Sequence, residues 1–391
     1  MKRKLERALC YLKELFFMGL CKLVGLFCRA FLPQYRNLWL VAERGDDARD
    51  NGYWFYHYLR TEHPEINARY VITDDSVDKP RIDALGGALR KSSFAHYLAY
   101  YCADVLAGSH VQPCAPDAMV QYHLASKGLR ARGKHVFLKH GITKDEMQWQ
   151  HRENLYLDLF LCGAKPEYEY IRDTFGFAPG VVQYTGLARF DNLIRASRPE
   201  KMVLVMPTWR GSHYPSGDAF PGTAFYRAYQ SLLNSPKLAE LLERYDYQLV
   251  FYPHIEMQRY NALFHAENPR ITIASKSTHD VQQLLMRCAV LITDYSSVYF
   301  DVAYLEKPEL YYQFDEEEFQ KYHYKKGYFD YRRDGFGRVC VEEPELLREL
   351  EGILAGGAVL DPVYRERVAR FFPLRDAENC TRIFKTIQGL Q

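Results

Sequence analysis

The sequence lacks several motifs that would assign a chain to a protein class at once. Its nine cysteines are scattered without a C-x-x-C pair, so neither a zinc site nor a disulfide framework is indicated and a reducing compartment is favoured. No G-x-G-x-x-G or Walker loop is present, which disfavours dinucleotide oxidoreductases and P-loop NTPases. No G-x-S-x-G elbow supports a hydrolase. These absences predict no metal and no cofactor.

The composition is that of a folded protein. Apolar residues make up 48% of the 391 residues and charged residues 26%, and there is no low-complexity tract or obvious repeat. A chain of this length is long enough for two domains that each bury a core.

The net charge of +2 conceals an asymmetry along the chain. Residues 1–36 carry eight basic and two acidic side chains, whereas the remainder carries 43 basic and 47 acidic ones. A basic N-terminal segment followed by a mildly acidic remainder indicates that the N-terminal segment binds an anionic surface. Nucleic acid is not expected as a partner, because no basic run interleaved with aromatic residues continues into the body.

Residues 11–32 are apolar but are interrupted by Lys13, Glu14, Lys22 and Arg29. A spanning helix needs about 18 uncharged residues, so this segment is predicted to lie on a membrane instead of crossing it. A signal peptide and an ordinary first helix packed on the core are the alternatives. We expect residues 1–36 to form an amphipathic membrane-associating segment on the cytoplasmic face of the cell membrane.

Beyond Pro33, short β-rich runs alternate with stretches of helical spacing. The first series of predicted strands lies at 38–43, 68–73, 104–109, 135–140, 159–163 and 181–186. The second lies at 202–209, 247–254, 271–275, 289–295, 309–314 and 338–342. Alternating β and α elements in two series predict two doubly wound α/β domains, at 37–195 and 196–391. Helices at 343–354 and 363–389 are predicted to close the second domain, with packing back across the domains as a further possibility.

Ligands of such sheets bind at the carboxyl ends of the strands, so polar residues there are candidates for a site in the cleft between domains. His140-Gly141 follows one strand, and a histidine there can take a proton from a hydroxyl. The alternative is a histidine that only stabilises a turn.

Three further motifs follow strands of the second series. Thr208-Trp209-Arg210 could offer a guanidinium fork to a phosphate, and His254 ends the next strand. Ser296 and Ser297 are predicted to cap a helix, with Asp301 one turn further on. Ordinary capping without a ligand is the alternative for the serines.

The last of these motifs is highly specific. The run ITDYSSVYFDVAYLEKP at 292–308 resembles the signature of the CDP-glycerol glycerophosphotransferases, the teichoic-acid primases and polymerases. Other motifs fall in the family's order: His140-Gly141, Gly186-x-x-Arg189-x-Asp191, Pro207-Thr-Trp-Arg210, Pro253-His254 and the segment 327–331. The resemblance covers roughly residues 38–345.

The resemblance implies a GT-B fold, with two Rossmann-like domains facing a cleft, an acceptor-side first domain and a CDP-donor-binding second domain. His140 would be the base, and Thr208, Arg210, His254, Ser296, Ser297 and Asp301 would hold the donor, with Gly141 and Arg189 nearby. The reaction would transfer glycerol phosphate, or a related polyol phosphate, from CDP-glycerol or a related CDP-polyol to a lipid-linked or glycan acceptor. The modest chain length suggests a primase-like or capsule-type enzyme.

Two other interpretations remain open. A glycosyltransferase that uses a sugar nucleotide could share this fold, because fold alone does not determine chemistry. A non-catalytic membrane-bound scaffold of an assembly complex is the third hypothesis, although the retention of both His140 and Arg210 disfavours it.

Overall fold

The computed structural model describes residues 2–211, 214–215, 217–322 and 325–390. The chain divides into two compact units. Unit 1 contains the chain up to Ile142, Gln148–Asn192 and the chain from Asp376 onward. Unit 2 contains Thr143–Met147 and Leu193–Arg375.

Unit 1 is built on a seven-stranded parallel sheet in the order β3-β2-β1-β4-β5-β6-β7. Its strands are β1 Trp39–Ala42, β2 Ala68–Ile72, β3 Ala88–Arg90, β4 Val105–Gly108, β5 Lys134–Phe137, β6 Leu159–Cys162 and β7 Val182–Tyr184. The strand order reverses between β1 and β4, which makes their carboxyl ends the topological switch point of the sheet.

The helices of this part of the chain are α1 Lys2–Phe31, α2 Asn51–Glu62, α3 Lys79–Leu85, α4 Phe94–Cys102, α5 Ala118–Ser126, α6 Lys165–Thr174 and α7 Arg189–Ala196, with α16 Asn379–Gln388 at the far end. Short 3-10 helices lie at Pro33–Tyr35 and Gln148–Gln150. Strand β1 is buried on both faces: Trp39 and Val41 pack towards α2 and α16, and Leu40 and Ala42 pack towards α1 and α4. Burial on both faces explains the uninterrupted apolar runs in the sequence.

Helix α1 is docked on unit 1 by one face. Cys21 and Cys28 are buried there, Glu14 accepts hydrogen bonds from Tyr97 and Gln121, and Arg29 forms an ion pair with Asp104 at 2.8 Å. The other face leaves large apolar side chains in solvent, namely Leu9, Leu12, Phe16, Leu23, Leu26, Phe27 and Phe31. In the part of the chain that the structure describes, no helix combines the length and apolarity needed to cross a bilayer.

Unit 2 contains a six-stranded parallel sheet in the order β10-β9-β8-β11-β12-β13. Its strands are β8 Met202–Met206, β9 Gln248–Phe251, β10 Ile271–Ile273, β11 Val290–Thr293, β12 Glu309–Tyr312 and β13 Gly337–Cys340. The order again reverses at the centre, so the switch point of this sheet lies at the carboxyl ends of β8 and β11.

The helices of unit 2 are α8 Ala224–Leu233, α9 Pro236–Arg244, α10 Val281–Arg287, α11 Tyr299–Tyr304, α12 Glu316–Tyr322, α13 Tyr331–Asp334, α14 Glu343–Ala355 and α15 Pro362–Phe371. Further 3-10 helices lie at Gly217–Gly222 and Ile255–Leu263. Side chains from α8, α9 and α14 cover one face of the sheet, where Val203, Val205 and Ile292 are fully buried.

The structure confirms a strand at each of the twelve predicted positions and adds β3, a three-residue edge strand. Two predicted helix features are wrong. The helix predicted at 363–389 is two helices, α15 and α16, with Pro373 between them. Residues from Asp376 onward belong to unit 1, because Ile383 and Ile387 of α16 are buried in its core.

Candidate active site

One arginine and two histidine side chains meet at the switch point of unit 1. Arg44 follows β1, His110 follows β4, and His140 lies three residues beyond β5. The Nε of Arg44 donates to Nε2 of His110 at 3.1 Å, and the rings of His110 and His140 lie 5.1 Å apart at an angle of 34°. His140 therefore stands at the sheet edge where the fold places ligands.

Asp50, which directly precedes α2, holds the imidazole of His140. Its Oδ2 lies 2.5 Å from Nδ1 of His140, and its Oδ1 forms an ion pair with Arg189 at 2.7 Å. Burial alone would raise the pKa of Asp50, but Arg189 and His140 outweigh it and hold that pKa well below its ordinary value. Asp50 is thus ionised at neutral pH and accepts a hydrogen bond from Nδ1–H of His140.

This contact selects the tautomer of His140 that carries its lone pair on Nε2. In the described parts of the chain Nε2 has no hydrogen-bond partner, and the side chain is 62% exposed. An imidazole fixed through one nitrogen and open at the other is suited to accept a proton from a bound hydroxyl.

The turn that presents His140 is built on a buried ion pair. Lys139 adopts a left-handed backbone with φ of 65°, and its Nζ lies 2.9 Å from Glu167 with both side chains buried. The carbonyl of Lys139 accepts from the amide of Asn51 at 2.8 Å, and Asn51 also accepts from the backbone N–H of Arg189. The side chain before His140 is therefore anchored inward while His140 itself points outward.

His110 is a neutral neighbour of His140. Burial, together with the positive charges of His140 and Arg44, lowers the pKa of His110 to about 4. At neutral pH it can accept the N–H of Arg44 and stack on His140 without adding a charge.

Unit 2 brings a second set of predicted residues together at its own switch point. The backbone N–H of Thr208, after β8, donates to Asp294, after β11, at 2.9 Å. The backbone N–H of His254, after β9, donates to the carbonyl of Pro207 at 3.1 Å, and its ring stacks on Trp209. Thr208 and His254 are only partly buried, so both can meet a ligand at this edge.

Arg210 occupies a different place from the one expected. It is 3% exposed and forms ion pairs with Asp294 at 2.8 Å and Asp315 at 2.7 Å. Its guanidinium is also enclosed by aromatic rings, including those of Tyr295 and Phe225. The geometry makes Arg210 the central cation of a buried network under the sheet edge.

The serines of the Asp-Tyr-Ser-Ser motif are accessible, but the prediction that they cap a helix is wrong. Helix α11 begins at Tyr299, and the residue at its N-cap position is Val298, whose side chain makes no cap. The Oγ of Ser296 accepts from the N–H of Val298 at 3.5 Å, so this serine supports the turn before the helix. Ser296 lies partly buried in the preceding turn, Ser297 is exposed there, and Asp301 is buried in α11.

A cavity of about 320 Å³ adjoins this motif within unit 2. It is lined by Tyr295, Gln313, Phe319, Lys325 and Tyr331, among others, and the Tyr295 and Phe319 rings stack with centroids 3.8 Å apart. Its volume is large enough for a small organic ligand, and its lining combines aromatic rings with charged and amide side chains.

The structure thus groups His140, Gly141 and Arg189 in unit 1 and groups Thr208, His254, Ser296 and Ser297 in unit 2. Sequence reasoning missed Arg44, Asp50 and His110. Two of them follow predicted strands, at 38–43 and 104–109, so the strand-end criterion applied to those strands would have found them.

Two Rossmann-like units, each with polar groups at the switch point of a parallel sheet, define the GT-B class of proteins and confirm the predicted fold class. The family model of the CDP-Glycerol:Poly(glycerophosphate) glycerophosphotransferases matches residues 26–389. The chain belongs to this family.

Individual relatives agree with that assignment. The minor teichoic acid biosynthesis protein GgaB of Bacillus subtilis (strain 168) is 28% identical over 365 residues, which span 90% of this chain and 40% of GgaB. The teichoic acid poly(glycerol phosphate) polymerase of Staphylococcus epidermidis is 23% identical over 84% of this chain and 46% of its own length. The chain spans less than half the length of these curated relatives.

A solved structure of the wall teichoic acid polymerase TagF superimposes with a TM-score of 0.68 at 17% identity. The match covers 100% of this chain and 98% of that one. At this level of identity the likeness establishes the fold.

Proposed function

We propose that this chain transfers glycerol phosphate, or a related polyol phosphate, from a CDP-activated donor to a hydroxyl of a lipid-linked or glycan acceptor, in the synthesis of a teichoic-acid or capsule-type polymer. The observation that carries the proposal is the Asp50–His140 pair at the switch point of unit 1. Membership of the family supplies the donor class, since its description names CDP-glycerol.

His140 is the proposed general base. Its Nε2 takes the proton of the acceptor hydroxyl as that oxygen attacks the phosphorus bearing the glycerol. The new O–P bond forms, the bond from that phosphorus to the bridging oxygen breaks, and CMP leaves with the electron pair. Asp50 keeps Nδ1 protonated before the transfer and stabilises the imidazolium after it.

The donor is proposed to bind at the sheet edge of unit 2. Thr208, His254, Ser296 and Ser297 supply hydroxyl and imidazole groups for its diphosphate and glycerol. The cavity beside Tyr295 has the size and aromatic walls that suit the cytidine. Arg210 acts indirectly, because its ion pair with Asp294 holds the carboxylate to which Thr208 is hydrogen-bonded.

The membrane surface is the proposed place of the reaction. Helix α1 exposes a row of large apolar side chains, and exposed cations such as Lys13 and Lys22 lie on the same helix. A helix of this kind binds an anionic bilayer through apolar burial and charge attraction together. We assign the chain to the cytoplasmic face as a peripheral protein, where CDP-activated donors and lipid-linked acceptors meet.

CMP release tests the reaction. The wild type and His140→Ala are incubated with CDP-glycerol or CDP-ribitol and a lipid-linked disaccharide acceptor, and donor binding is measured separately by calorimetry. We expect turnover by the wild type with one of the donors, and its loss in His140→Ala with donor affinity retained. Absence of turnover by the wild type with both donors, despite donor binding, would contradict the proposed transfer.

A further inference from the structure

The contact between Arg44 and His110 spans the switch point of unit 1. Arg44 follows β1 and His110 follows β4, the two strands between which the order of the sheet reverses. Crevices at such points bind ligands in open α/β sheets. The contact therefore places a guanidinium at the ligand edge of unit 1, one imidazole away from His140.

Arg44 is fixed in position by its backbone. Its N–H donates to Asp47 at 3.0 Å, and its carbonyl accepts from Nζ of Lys91 at 2.7 Å. The next residue, Gly45, has φ of 92°, a left-handed backbone conformation that glycine adopts without strain. These contacts hold the backbone and the hydrogen bond to His110 holds Nε, so part of the ordering cost of binding a ligand is already met.

Only the Nε of the Arg44 guanidinium forms a hydrogen bond within the described residues. Its Nε donates to His110, and the exposed terminal nitrogens have no partner within the described portion of the chain. No carboxylate in that portion forms an ion pair with the guanidinium. Asp47, which accepts from the backbone N–H of Arg44, interacts with its charge at longer range, and Asp50 is paired with Arg189 and His140. Two free N–H₂ groups in one plane match the oxygens of a phosphate.

We propose that Arg44 binds a phosphate of the acceptor and thereby positions the attacking hydroxyl at His140. The inference rests on the proposed function. An acceptor that ends in glycerol phosphate carries its phosphodiester only a few bonds from the reactive hydroxyl, and a lipid-linked acceptor carries a diphosphate. A guanidinium next to the base matches the anionic character common to both.

Steady-state kinetics on Arg44→Gln and Arg44→Lys test this assignment. Loss of hydrogen bonds to a charged group predicts a rise of about tenfold or more in the acceptor KM of Arg44→Gln, with donor KM unchanged. Any fall in kcat should be smaller than this rise, because positioning of the hydroxyl also contributes to the chemical step. Arg44→Lys keeps the positive charge but loses the two-pronged hydrogen bonding of the guanidinium. Its acceptor KM is expected to lie between those of the wild type and Arg44→Gln. The matched control is Arg172→Gln, which removes an exposed arginine of α6 that pairs with its neighbour Asp173.

Two acceptors distinguish the source of the phosphate. Both carry a short-chain polyprenyl diphosphate and a disaccharide, and one of them also ends in glycerol phosphate. A rise in KM confined to the second acceptor assigns Arg44 to the terminal phosphate, and an equal rise for both assigns it to the diphosphate. An unchanged acceptor KM, or a fall in kcat alone, would overturn the proposal.

A binding measurement separates this inference from the transfer reaction itself. A fluorescent derivative of each acceptor is titrated with the wild type and Arg44→Gln without donor, and anisotropy is recorded. Weaker binding by Arg44→Gln supports the anion site even if no CMP is released, and equal binding by the two proteins refutes it.

Discussion

The carboxylate of Asp191 caps the helix that begins at Asn379, 188 residues further along the chain. Its Oδ1 accepts from the backbone N–H of Asn379 at 2.8 Å and its Oδ2 accepts from that of Cys380 at 2.9 Å. Gly186 has φ of 79°, and a β-carbon there would collide with Asn379. The Gly186-x-x-Arg189-x-Asp191 motif therefore joins α16 to unit 1 while Arg189 holds Asp50.

Replacing Asp191 by alanine is expected to loosen α16. The change removes a cap and leaves buried N–H groups unpaired, which costs about 2–3 kcal/mol. Hydrogen exchange should speed up in α16 more than in α15. The control is Asp361→Ala, which removes an exposed cap of α15 and should cost about 1 kcal/mol. If the amides of α16 were equally protected from exchange in Asp191→Ala and in Asp361→Ala, the proposed role of Asp191 would be contradicted.

Asp50→Asn is expected to lower kcat by about 100-fold with little change in donor affinity, because general base catalysis contributes about 10²–10⁴-fold. The amide can present its NH₂ to His140 and favour the wrong tautomer. Stopped assays of CMP release at saturating donor and acceptor measure the effect. The control, Asp83→Asn, removes an exposed carboxylate paired with Lys79 and should leave kcat unchanged. A kcat for Asp50→Asn within threefold of the wild type would count against the dyad.

Arg210→Met distinguishes the two roles considered for Arg210. The variant leaves Asp294 and Asp315 buried without their cation, which costs about 3–5 kcal/mol. We expect a clear fall in the melting temperature measured by calorimetry. The control is Arg287→Met, which breaks an exposed ion pair with Glu200 worth about 0–1 kcal/mol. An unchanged melting temperature with lost donor affinity would instead make Arg210 a direct donor ligand.

Acid is expected to destabilise unit 1 through two buried histidines. Burial lowers the pKa of His96 and of His135 to about 4 each, against about 6.5 in the unfolded chain. The unfolded state then binds more protons as the pH falls, so stability is complete above about pH 6.5 and decreases towards about pH 4. Each histidine should cost about 2 kcal/mol between about pH 7 and about pH 5.

Thermal unfolding at several pH values measures this loss. Because glutamine cannot take up a proton, His96→Gln should lose less stability than the wild type as the pH falls. The difference should equal the contribution of one histidine. His123→Gln, at an exposed histidine of α5, is the control and should follow the wild type. A pH profile of His96→Gln parallel to that of the wild type would contradict the assignment.

The sheets could be predicted because their strands are short, apolar and buried on both faces, a pattern that local sequence displays directly. Strand β3 was not predicted because Ala88–Arg90 is only three residues long, lies at the edge of the sheet and shows little alternation of apolar and polar residues. The break between α15 and α16 was missed although Pro373 marks it locally. The place of α16 in unit 1 was missed because it depends on tertiary burial, which local propensity does not reveal.

The site was only partly predictable for a related reason. His140 and the serines stand at strand ends that the sequence reveals. Asp50 lies near none of the marked strand ends, and its pairing with His140 connects residues 90 apart in the chain. Arg210 was read as a phosphate ligand because its residue type suits one, but its burial depends on Asp315, which no local pattern links to it.

Unit 1 is assembled from three separate parts of the chain, and the last of them includes α16. A ribosome therefore synthesises the seven strands of the first sheet and all of unit 2 before the residues that complete unit 1. Until then this side of the sheet is packed against α2 but lacks the side chains of Ile383, Phe384 and Ile387. Nascent chains at this stage would expose an apolar surface that chaperones can bind, because the first unit is completed only after all of unit 2 has been synthesised.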